Sequence, residues 1–296
     1  MHSNDLFTFL SNKDGHGRRG TLIAAVRGTK VSDVVKQLKK ISLAQRNAVE
    51  EVTMDFSDSM YAIVKAVFPN ASIVIDCFHI VKRLCDGLDE MRMRFKRKAT
   101  SEVKQAERDF KKKRAVRAKA RADYREKHPL KRGEKRGRPK CRSNERFRPS
   151  MLSNGDTKVE LLTRARYILP KSGEKWSDNQ KIRAGLLFEL YPRLKEAYSL
   201  VCQLRSILKN HKLTKEEVRK RLLAWYEAVT KSGIEEIASA RDCIESKQEE
   251  VLNYFDNFST NAAAESLNSK MKGFRAELRG VRDLPFYLYR SVQILG

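Results

Sequence analysis

The sequence VEEVTMDFSDSMYAIVKAVFPNASIVIDCFHIVK, residues 49–82, decides the fold of this chain. A β-branched run ends at Asp55, a segment with helical periodicity follows, and a second apolar run, Ile73–Ile75, ends at Asp76. This order predicts a strand, a helix and a second strand, with a carboxylate at the carboxyl end of each strand. Open α/β sheets place their functional sites at this edge, and His79 follows three residues after Asp76.

Each of these polar residues also has a structural explanation. Asp55 fits a turn, with Ser57 or Asp58 capping the helix that follows. Asp76 fits the cap of a helix that begins near Cys77, and a single histidine near a helix start is more often structural than a ligand. Position in the sequence therefore leaves both explanations open.

The charge of the chain indicates its partner. Its 296 residues contain 62 Lys and Arg against 37 Asp and Glu, which gives a formal net charge of +25. Such an excess attracts phosphate polyanions, either nucleic acid or an anionic membrane surface. No apolar run approaches the roughly 18 residues that a membrane span needs, which favours nucleic acid. The five cysteines are scattered without a CxxC pair, so we expect reduced thiols and no structural zinc site.

Most of the positive charge lies in residues 92–148, where 25 Lys and Arg stand against 7 Asp and Glu, an excess of 18. Within this segment, Lys131–Lys140 has the Gly, Pro and charge content of a flexible loop. We expect the segment to bind DNA phosphates, although a solvated helix face with a mobile loop would have the same composition. The candidate DNA-binding residues are Lys111, Lys112, Lys113, Arg114, Lys131, Arg132, Lys135, Arg136 and Arg138.

The remaining sequence predicts a small α/β unit followed by helices. Leu6–Leu10 and Thr21–Val26 have the pattern of a β-hairpin, and Val31–Ile41 that of an amphipathic helix. Further helices are predicted at residues 156–169, 178–209 with a break at Tyr191-Pro192, 214–230, 234–254, 260–278 and 283–295. The expected parts are an α/β core in residues 1–84, an all-helical insertion in residues 85–256 and C-terminal core helices in residues 257–296.

The helix predicted over residues 260–278 carries a row of polar side chains. Its members are Asn261, Glu265, Asn268 and Lys272, which are spaced three or four residues apart and therefore share one helical face. Such a row is usually a solvated face, but two amides, an acid and a lysine stand out in a helix otherwise rich in Ala, Leu and Met. Two or three acids that converge from distant sequence can hold divalent ions such as Mg²⁺ for phosphodiester chemistry.

Two long motifs resemble the ISL-three family of insertion-sequence transposases. They are VTMDFSDSMYAIVKAVFPNASIVIDCFHIVK, residues 52–82, and STNAAAESLNSKMKGFRAELRGVRDLPFYLYR, residues 259–290. Two stretches between them, NGDTKVELLTRARYILPK and KWSDNQKIRAGLLFELYPRLKEAYSL, resemble the helical insertion of that family. The resemblance implies a DDE-type enzyme with an α/β fold, in which an RNase H-like mixed sheet with helices is interrupted by a large all-α insertion.

The same resemblance assigns roles to individual residues. Asp55 corresponds to the second acid of the catalytic triad and Glu265 to the third, so both would be catalytic metal ligands. Asp76 and His79 correspond to the family's Asp-x-Phe-His signature, with Cys77 where an Arg is usual, and would support the site. The residues expected to position the DNA strand or its phosphates are Asn261, Asn268 and Lys272.

One departure from the family concerns the first acid, which there lies on the first, central strand of the sheet, ahead of the hairpin. Only four residues precede Asp5, and Asp5 aligns better with the second strand. We therefore expect the first strand and its Asp to be missing, together with the family's amino-terminal DNA-binding domains, as in a truncated fragment.

The resemblance also implies a function. We expect metal-dependent cleavage and transfer of DNA strands at insertion-sequence ends, with two Mg²⁺ or Mn²⁺ ions as cofactor. The expected partners are transposon-end and target DNA and further copies of the chain on that DNA, with no membrane, in the bacterial cytoplasm at the nucleoid. Two alternatives stay open: a truncated, inactive remnant that only binds DNA, and an unrelated basic nucleic-acid-binding protein whose acids are helix caps.

Overall fold

The computed structural model of the chain describes residues 6–15, 18, 20–129, 131–133, 146–277 and 283–295. These residues form an α/β protein with two small β-sheets and an extensive helical region. The chain divides into two compact units, the first formed by residues 1–84 together with 200–296 and the second by residues 85–199. Residues 200–256, which the sequence analysis assigns to the insertion, thus belong to the unit that contains the strands.

Four short strands form the two sheets. The hairpin strands β1 (Phe7–Ser11) and β2 (Leu22–Arg27) are antiparallel, and β3 (Glu51–Met54) pairs in parallel with β4 (Ser72–Ile75). The predicted hairpin and the predicted strand–helix–strand unit are therefore confirmed. Among the strands that the structure describes, each has one partner, so the sheets are two separate pairs.

The parallel β3–β4 pair sets the positions of two acids. Met54 and Ile75, the last residues of the strands, are in register. The chain continues to Asp55 and Asp76, and the Asp76 N–H extends the ladder by donating to the Met54 carbonyl oxygen at 3.1 Å. Both acids therefore leave the sheet at the same edge, as the sequence predicts.

The α-helices described before residue 77 are α1 (Val31–Leu38), α2 (Leu43–Asn47) and α3 (Asp58–Val67). Ser57 caps α3 by accepting a hydrogen bond from the Met60 N–H, which confirms the predicted cap. Side chains from both sheets, α1 and α3 form one apolar core. Its buried members are Val26, Val34, Leu38, Met54, Ile63, Val64, Val67, Phe68 and Ile73.

Helix α4 (Cys77–Lys127) begins directly after β4 and is 51 residues long. Its larger part belongs to the second unit. The other helices there are α5 (Lys158–Arg164), α6 (Asp178–Leu190) and the first part of α7 (Pro192–Lys209). The predicted break before α7 is confirmed, because Pro192 has no N–H to donate and suits the first position of a helix.

The second unit has its own buried core, which includes Leu161 of α5 and Leu187 of α6. The buried carboxylate of Asp156 forms ion pairs with Arg164 and with Arg183, the latter at 2.9 Å. Removing a carboxylate from water is costly unless charged or polar partners replace the solvent, and the two guanidinium groups supply them.

The first unit continues with helices α8 (Lys215–Ser232), α9 (Glu235–Ser246), α10 (Gln248–Leu252), α11 (Tyr254–Asn257), α12 (Ala262–Glu277) and α13 (Leu284–Leu295). A second apolar cluster joins Leu22 of β2 to Leu267 and Met271 of α12 and to Tyr287 of α13. The strands and the C-terminal helices are therefore packed into the same unit. Of the helices described, none combines the length and the apolar character needed to cross a membrane.

The prediction of one continuous helix over residues 234–254 is wrong. The structure has three shorter helices, and the first break lies at Lys247, where the backbone leaves the helical conformation (φ −128°, ψ 33°). The Lys247 ammonium pairs with Asp58, and Glu250 accepts a hydrogen bond from the Tyr61 hydroxyl at 2.7 Å. Because these partners are 189 positions apart, the local sequence pattern does not contain the break.

Matched substitutions on α8 test the packing of the first unit. Leu222 is fully buried, whereas its neighbour Leu223 is 49% exposed. We expect Leu222→Ala to lower the free energy of unfolding by about 2–5 kcal/mol, because it removes apolar contacts and leaves a cavity. The control, Leu223→Ala, should change it by less than about 1 kcal/mol. Urea unfolding followed by circular dichroism measures both, and equal effects would contradict this packing.

Candidate active site

Three segments that are distant in sequence meet at the carboxyl edge of the β3–β4 pair. Asp55 follows β3, and Asp76 follows β4 and opens α4. The third segment is the start of α12, which supplies Asn261 and Glu265. The structure thus brings together the two regions in which the sequence places candidate site residues.

Asp76 holds two of these segments together. The residue is 5% exposed, and its two carboxylate oxygens accept hydrogen bonds from the Phe78 N–H at 2.8 Å and from the Asn261 N–H at 2.9 Å. The first bond caps α4, because the first N–H groups of a helix lack intrahelical partners. The second bond fixes the backbone directly before α12. Asp76 is therefore both a helix cap and a link between distant segments.

Two polar side chains lie close to one carboxylate oxygen of Asp55. Asn261 Nδ2 donates to Asp55 Oδ1 at 2.5 Å, and His79 Nε2 lies 3.0 Å from that oxygen. The Asp55 side chain is 47% exposed, so a ligand from solution can reach it. The carboxylate is thus oriented by the protein and still accessible.

Glu265 approaches the same imidazole from α12. Its Oε1 atom lies 3.4 Å from His79 Nε2. Asp55 Oδ1 and Glu265 Oε1 are therefore no farther apart than the sum of their distances to Nε2, roughly 6.4 Å. The Glu265 side chain is 52% exposed. Two accessible carboxylates thus converge on one point, although their residues are more than 200 positions apart.

The Nε2 atom of His79 is buried between these carboxylates. Despite the short separations, it makes no hydrogen bond of acceptable direction with any residue that the structure describes. The imidazole packs edge-on against Phe78, with ring centroids 5.4 Å apart, and the Phe78 ring is itself exposed. A buried polar atom without a directed partner is costly, so this arrangement favours a site that takes up a further polar or charged group.

The chemistry of the donors fits a hard divalent cation in part. Mg²⁺ takes oxygen ligands and is commonly bound by one or two carboxylates, with water and substrate phosphate completing its shell. Asp55 and Glu265 meet this description. Within the described ranges, however, no group of three or more His, Cys, Asp or Glu side chains is arranged to hold a metal ion. The two acids would therefore supply only part of a ligand set.

Cys77 and Tyr254 line the buried side of the site and keep their protons. Burial raises the pKa of the Cys77 thiol, and the neighbouring Asp76 carboxylate adds to this effect. Burial likewise raises the pKa of Tyr254, with smaller contributions from Cys77 and Asp76. Since a thiol binds metal as the thiolate, Cys77 is unsuited to be a ligand.

The other residues expected from the sequence lie outside this cluster. Asn268 and Lys272 are exposed on α12, on the face that also carries Glu265. Lys111, Lys112, Lys113 and Arg114 are exposed on α4, and Lys131 and Arg132 are exposed in the segment that follows. Three further candidates, Lys135, Arg136 and Arg138, lie outside the described residues.

Sequence reasoning missed the residues that shape the turn before Asn261. Phe258 is a non-glycine residue with positive φ (52°), a conformation that L side chains rarely adopt. Its ring stacks on His211 with centroids 4.4 Å apart, and Lys13 Nζ donates to the hydroxyl of Ser259 at 2.8 Å. These contacts hold a strained turn in place, and a phenylalanine in a helical region gives no sequence signal for one.

A second missed contact lies beside Asp55. The ring of the following residue, Phe56, is flanked by the Arg83 guanidinium at 5.8 Å and the Lys247 ammonium at 5.2 Å from its centroid. Cations over an aromatic face are attracted by its quadrupole. Phe56 therefore anchors the turn in which Asp55 lies to α4 and to the break between α9 and α10.

Comparison with known proteins is consistent with this geometry. A family model described as a transposase, that of the ISL-three group of DDE enzymes, matches residues 2–135 and 138–291. The matched ranges contain every residue of the cluster around Asp55 and Glu265. No curated protein and no solved structure shows significant similarity to the chain.

Substitution of Asp76 tests whether its two hydrogen bonds hold the site together. We expect Asp76→Ala to lower the free energy of unfolding by about 2–3 kcal/mol, because it removes a helix cap and leaves two partly buried N–H groups without this acceptor. Asp76→Asn keeps one acceptor oxygen and should cost less. Asp86→Ala, at an exposed position of α4, is the control. A loss no greater than that of the control in urea unfolding would contradict the link.

Proposed function

The chain belongs to the ISL-three family of DDE transposases, and from this premise we propose that Asp55 and Glu265 bind the divalent ions for DNA strand cleavage and transfer at insertion-sequence ends. The family implies DNA transposition and a DNA substrate. The proposal concerns the residues that would carry the reaction and the ions they would hold.

One observation carries the proposal. Asp55 and Glu265 lie within 3.0 Å and 3.4 Å of one buried histidine nitrogen, and both carboxylates remain about half exposed. If Asp55 were only a turn residue and Glu265 only part of a solvated helix face, nothing would require their carboxylates to lie close together. Convergence of accessible acids from opposite ends of a chain is the arrangement that a phosphoryl-transfer site needs.

The residues divide the work as follows. Asp55 and Glu265 would hold Mg²⁺ or Mn²⁺, and such ions activate the attacking oxygen and stabilise the leaving oxygen of a phosphodiester. Asn261 orients the Asp55 carboxylate, and Asp76 fixes Asn261 through its backbone. His79 lies between the two acids and limits their separation.

The exposed part of the α12 face that carries Glu265 would contact the DNA substrate. Asn268 and Lys272 follow Glu265 at successive turns of α12 and are exposed. An amide and an ammonium suit hydrogen bonding to phosphate oxygens, and the Lys272 charge would offset part of the phosphate charge. These two residues would position the DNA strand next to the acids.

We also propose that the two strand pairs are parts of one RNase H-like mixed sheet. A strand lying between the edges of β1 and β3 would join them and would carry the further carboxylate that the partial ligand set calls for. The Nζ atom of Lys13, just beyond β1, lies 3.7 Å from Oε1 of Glu51, at the start of β3. This distance supports neighbouring positions for the edges of β1 and β3. An added strand would also pair backbone groups along both edges.

A second candidate function is DNA binding without catalysis. It is favoured by the absence, within the described ranges, of any group of three metal-ligating side chains. In this case Asp55 and Glu265 would retain the geometry of a transposase site, but the chain would act only through its affinity for DNA. Metal binding and strand cleavage separate the two candidates.

Direct measurement of Mn²⁺ binding tests the ligands independently of activity. We expect Asp55→Asn and Glu265→Gln each to weaken Mn²⁺ binding at least about tenfold in an electron paramagnetic resonance titration, because each removes one anionic ligand. Asp178→Asn is the control, since the Asp178 side chain is 95% exposed and lies in the second unit. If all three variants bind Mn²⁺ as the unchanged protein does, Asp55 and Glu265 are not ligands.

Strand cleavage tests the reaction itself. The substrate is a plasmid that carries the insertion-sequence ends, incubated with the protein and Mg²⁺ and analysed for nicked and linear products. We expect Glu265→Gln to reduce cleavage by at least about a hundredfold, because stabilisation of the transition-state charge is lost. If the unchanged protein binds this plasmid but never cleaves it, the binding-only function is correct instead.

A further inference from the structure

The distal part of α4, residues 111–127, is exposed on every side. It contains nine Lys and Arg and two acids, Asp123 and Glu126. Helices in proteins normally gain most of their stability from packing one face against a core. In the described structure this segment has no buried face, and its side chains are exposed to solvent.

The charges of this segment are not spread evenly around the helix. Lys113, Arg117, Arg121 and Arg125 are spaced four residues apart and form one row, which Arg114 joins. At 100° per residue, these five side chains fall within an arc of about 120°. Asp123 and Glu126 project on the opposite side. We call the arc formed by Lys113, Arg114, Arg117, Arg121 and Arg125 the basic face.

The row carries positive charge along about three turns of the helix. Side chains four residues apart are neighbours on a helix surface, so successive members of the row form a continuous strip. Four alanines between residues 115 and 122 favour the helix. A polyanion that lies along the basic face would therefore meet positive charge at every turn.

We propose that the basic face of α4 binds the phosphate backbone of duplex DNA, with the helix lying along the major groove. The proposal rests on the transposase function and names the surface that would hold its substrate. A helix is about 10–12 Å in diameter, and the major groove of B-DNA is about 12 Å wide. Ala118 and Ala120 border the basic face and would let the helix backbone come close to the groove wall.

The composition of the segment favours duplex DNA over other polyanions. Single-stranded DNA is bound by rows of aromatic side chains that stack on bases, whereas residues 111–127 contain one aromatic residue, Tyr124, which stacks on His128. The major groove of duplex RNA is too narrow for a helix. A membrane-surface helix needs an apolar face, and the side opposite the basic face carries charged residues and alanines.

The basic face divides the candidate residues on α4 into two groups. Lys113 and Arg114 belong to it, whereas Lys112 lies outside its arc, as do Lys119 and Lys127. A contact that depended only on total charge would use both groups equally. DNA binding through the basic face would depend mainly on the first group.

Two triple variants with the same change in charge test the proposal in the full chain. One replaces Arg117, Arg121 and Arg125 by Gln, and the matched control replaces Lys112, Lys119 and Lys127 by Gln. Glutamine has a helix propensity close to those of Arg and Lys, and circular dichroism verifies the helix content. Fluorescence anisotropy with a duplex of about three helical turns measures affinity across a salt series, in EDTA so that no strand is cut.

We expect the basic-face variant to lose roughly two orders of magnitude in affinity at 0.1 M salt, and the slope of log affinity against log salt to fall by about 3, because three phosphate contacts are lost. The control should lose less than about tenfold. Equal losses of affinity in the two triple variants would overturn the proposal that DNA binds through the basic face. Unchanged affinity in both variants would overturn DNA binding by this segment. Stronger binding of single-stranded than of duplex DNA, lost in the basic-face variant, would overturn the assignment to the duplex.

These outcomes are independent of the acids at Asp55 and Glu265. The DNA-binding measurement contains no divalent ion, and neither triple variant alters the candidate active site. If Mn²⁺ binding at Asp55 fails while the basic-face variant loses affinity as expected, the catalytic assignment fails and the DNA-binding surface stands. The reverse result rejects the surface alone.

Discussion

The buried carboxylate of Asp76 is the constraint on which the candidate site depends. A carboxylate removed from water needs hydrogen-bond donors on its oxygens, and here the donors are backbone N–H groups of Phe78 and Asn261. Asp76 and Asn261 are 185 positions apart, so the carboxylate fixes one main-chain segment against another. The side chains of His79, Asn261 and Glu265 take their positions from these two segments.

When Asp76 caps α4, it also positions the residues of the candidate site. A residue that caps a helix fixes where the helix begins, and the residue that follows one turn later is then held in a defined position. Here that residue is His79, which lies between the two exposed acids. The helix cap that the sequence offers for Asp76 is therefore confirmed, and the same carboxylate also holds the segment before α12. For Asp55 the structure adds partners that a simple turn does not require.

Local pattern predicted the parts of the fold that local chemistry determines. The strands that end before Asp55 and Asp76 follow from β-branched runs, and the break before Pro192 follows from a missing N–H. The break at Lys247 and the positive φ of Phe258 were not predictable in this way. Both are stabilised by partners far away in the chain, Asp58 for the first and His211 for the second, and no window of neighbouring residues contains those pairs.

The charges suited to holding DNA and those suited to cleaving it lie in different parts of the sequence. The chain has a net charge of +25, yet Asp55 and Glu265 place two negative charges in the candidate site. A phosphodiester that approaches these carboxylates is repelled unless a cation lies between them. Lys272 alone offsets only part of this charge, and the large excess of Lys and Arg lies in residues 92–148, a different part of the sequence. Divalent ions would therefore be needed to let the substrate approach as well as to activate it, whereas the Lys and Arg of residues 92–148 would govern how tightly DNA is held.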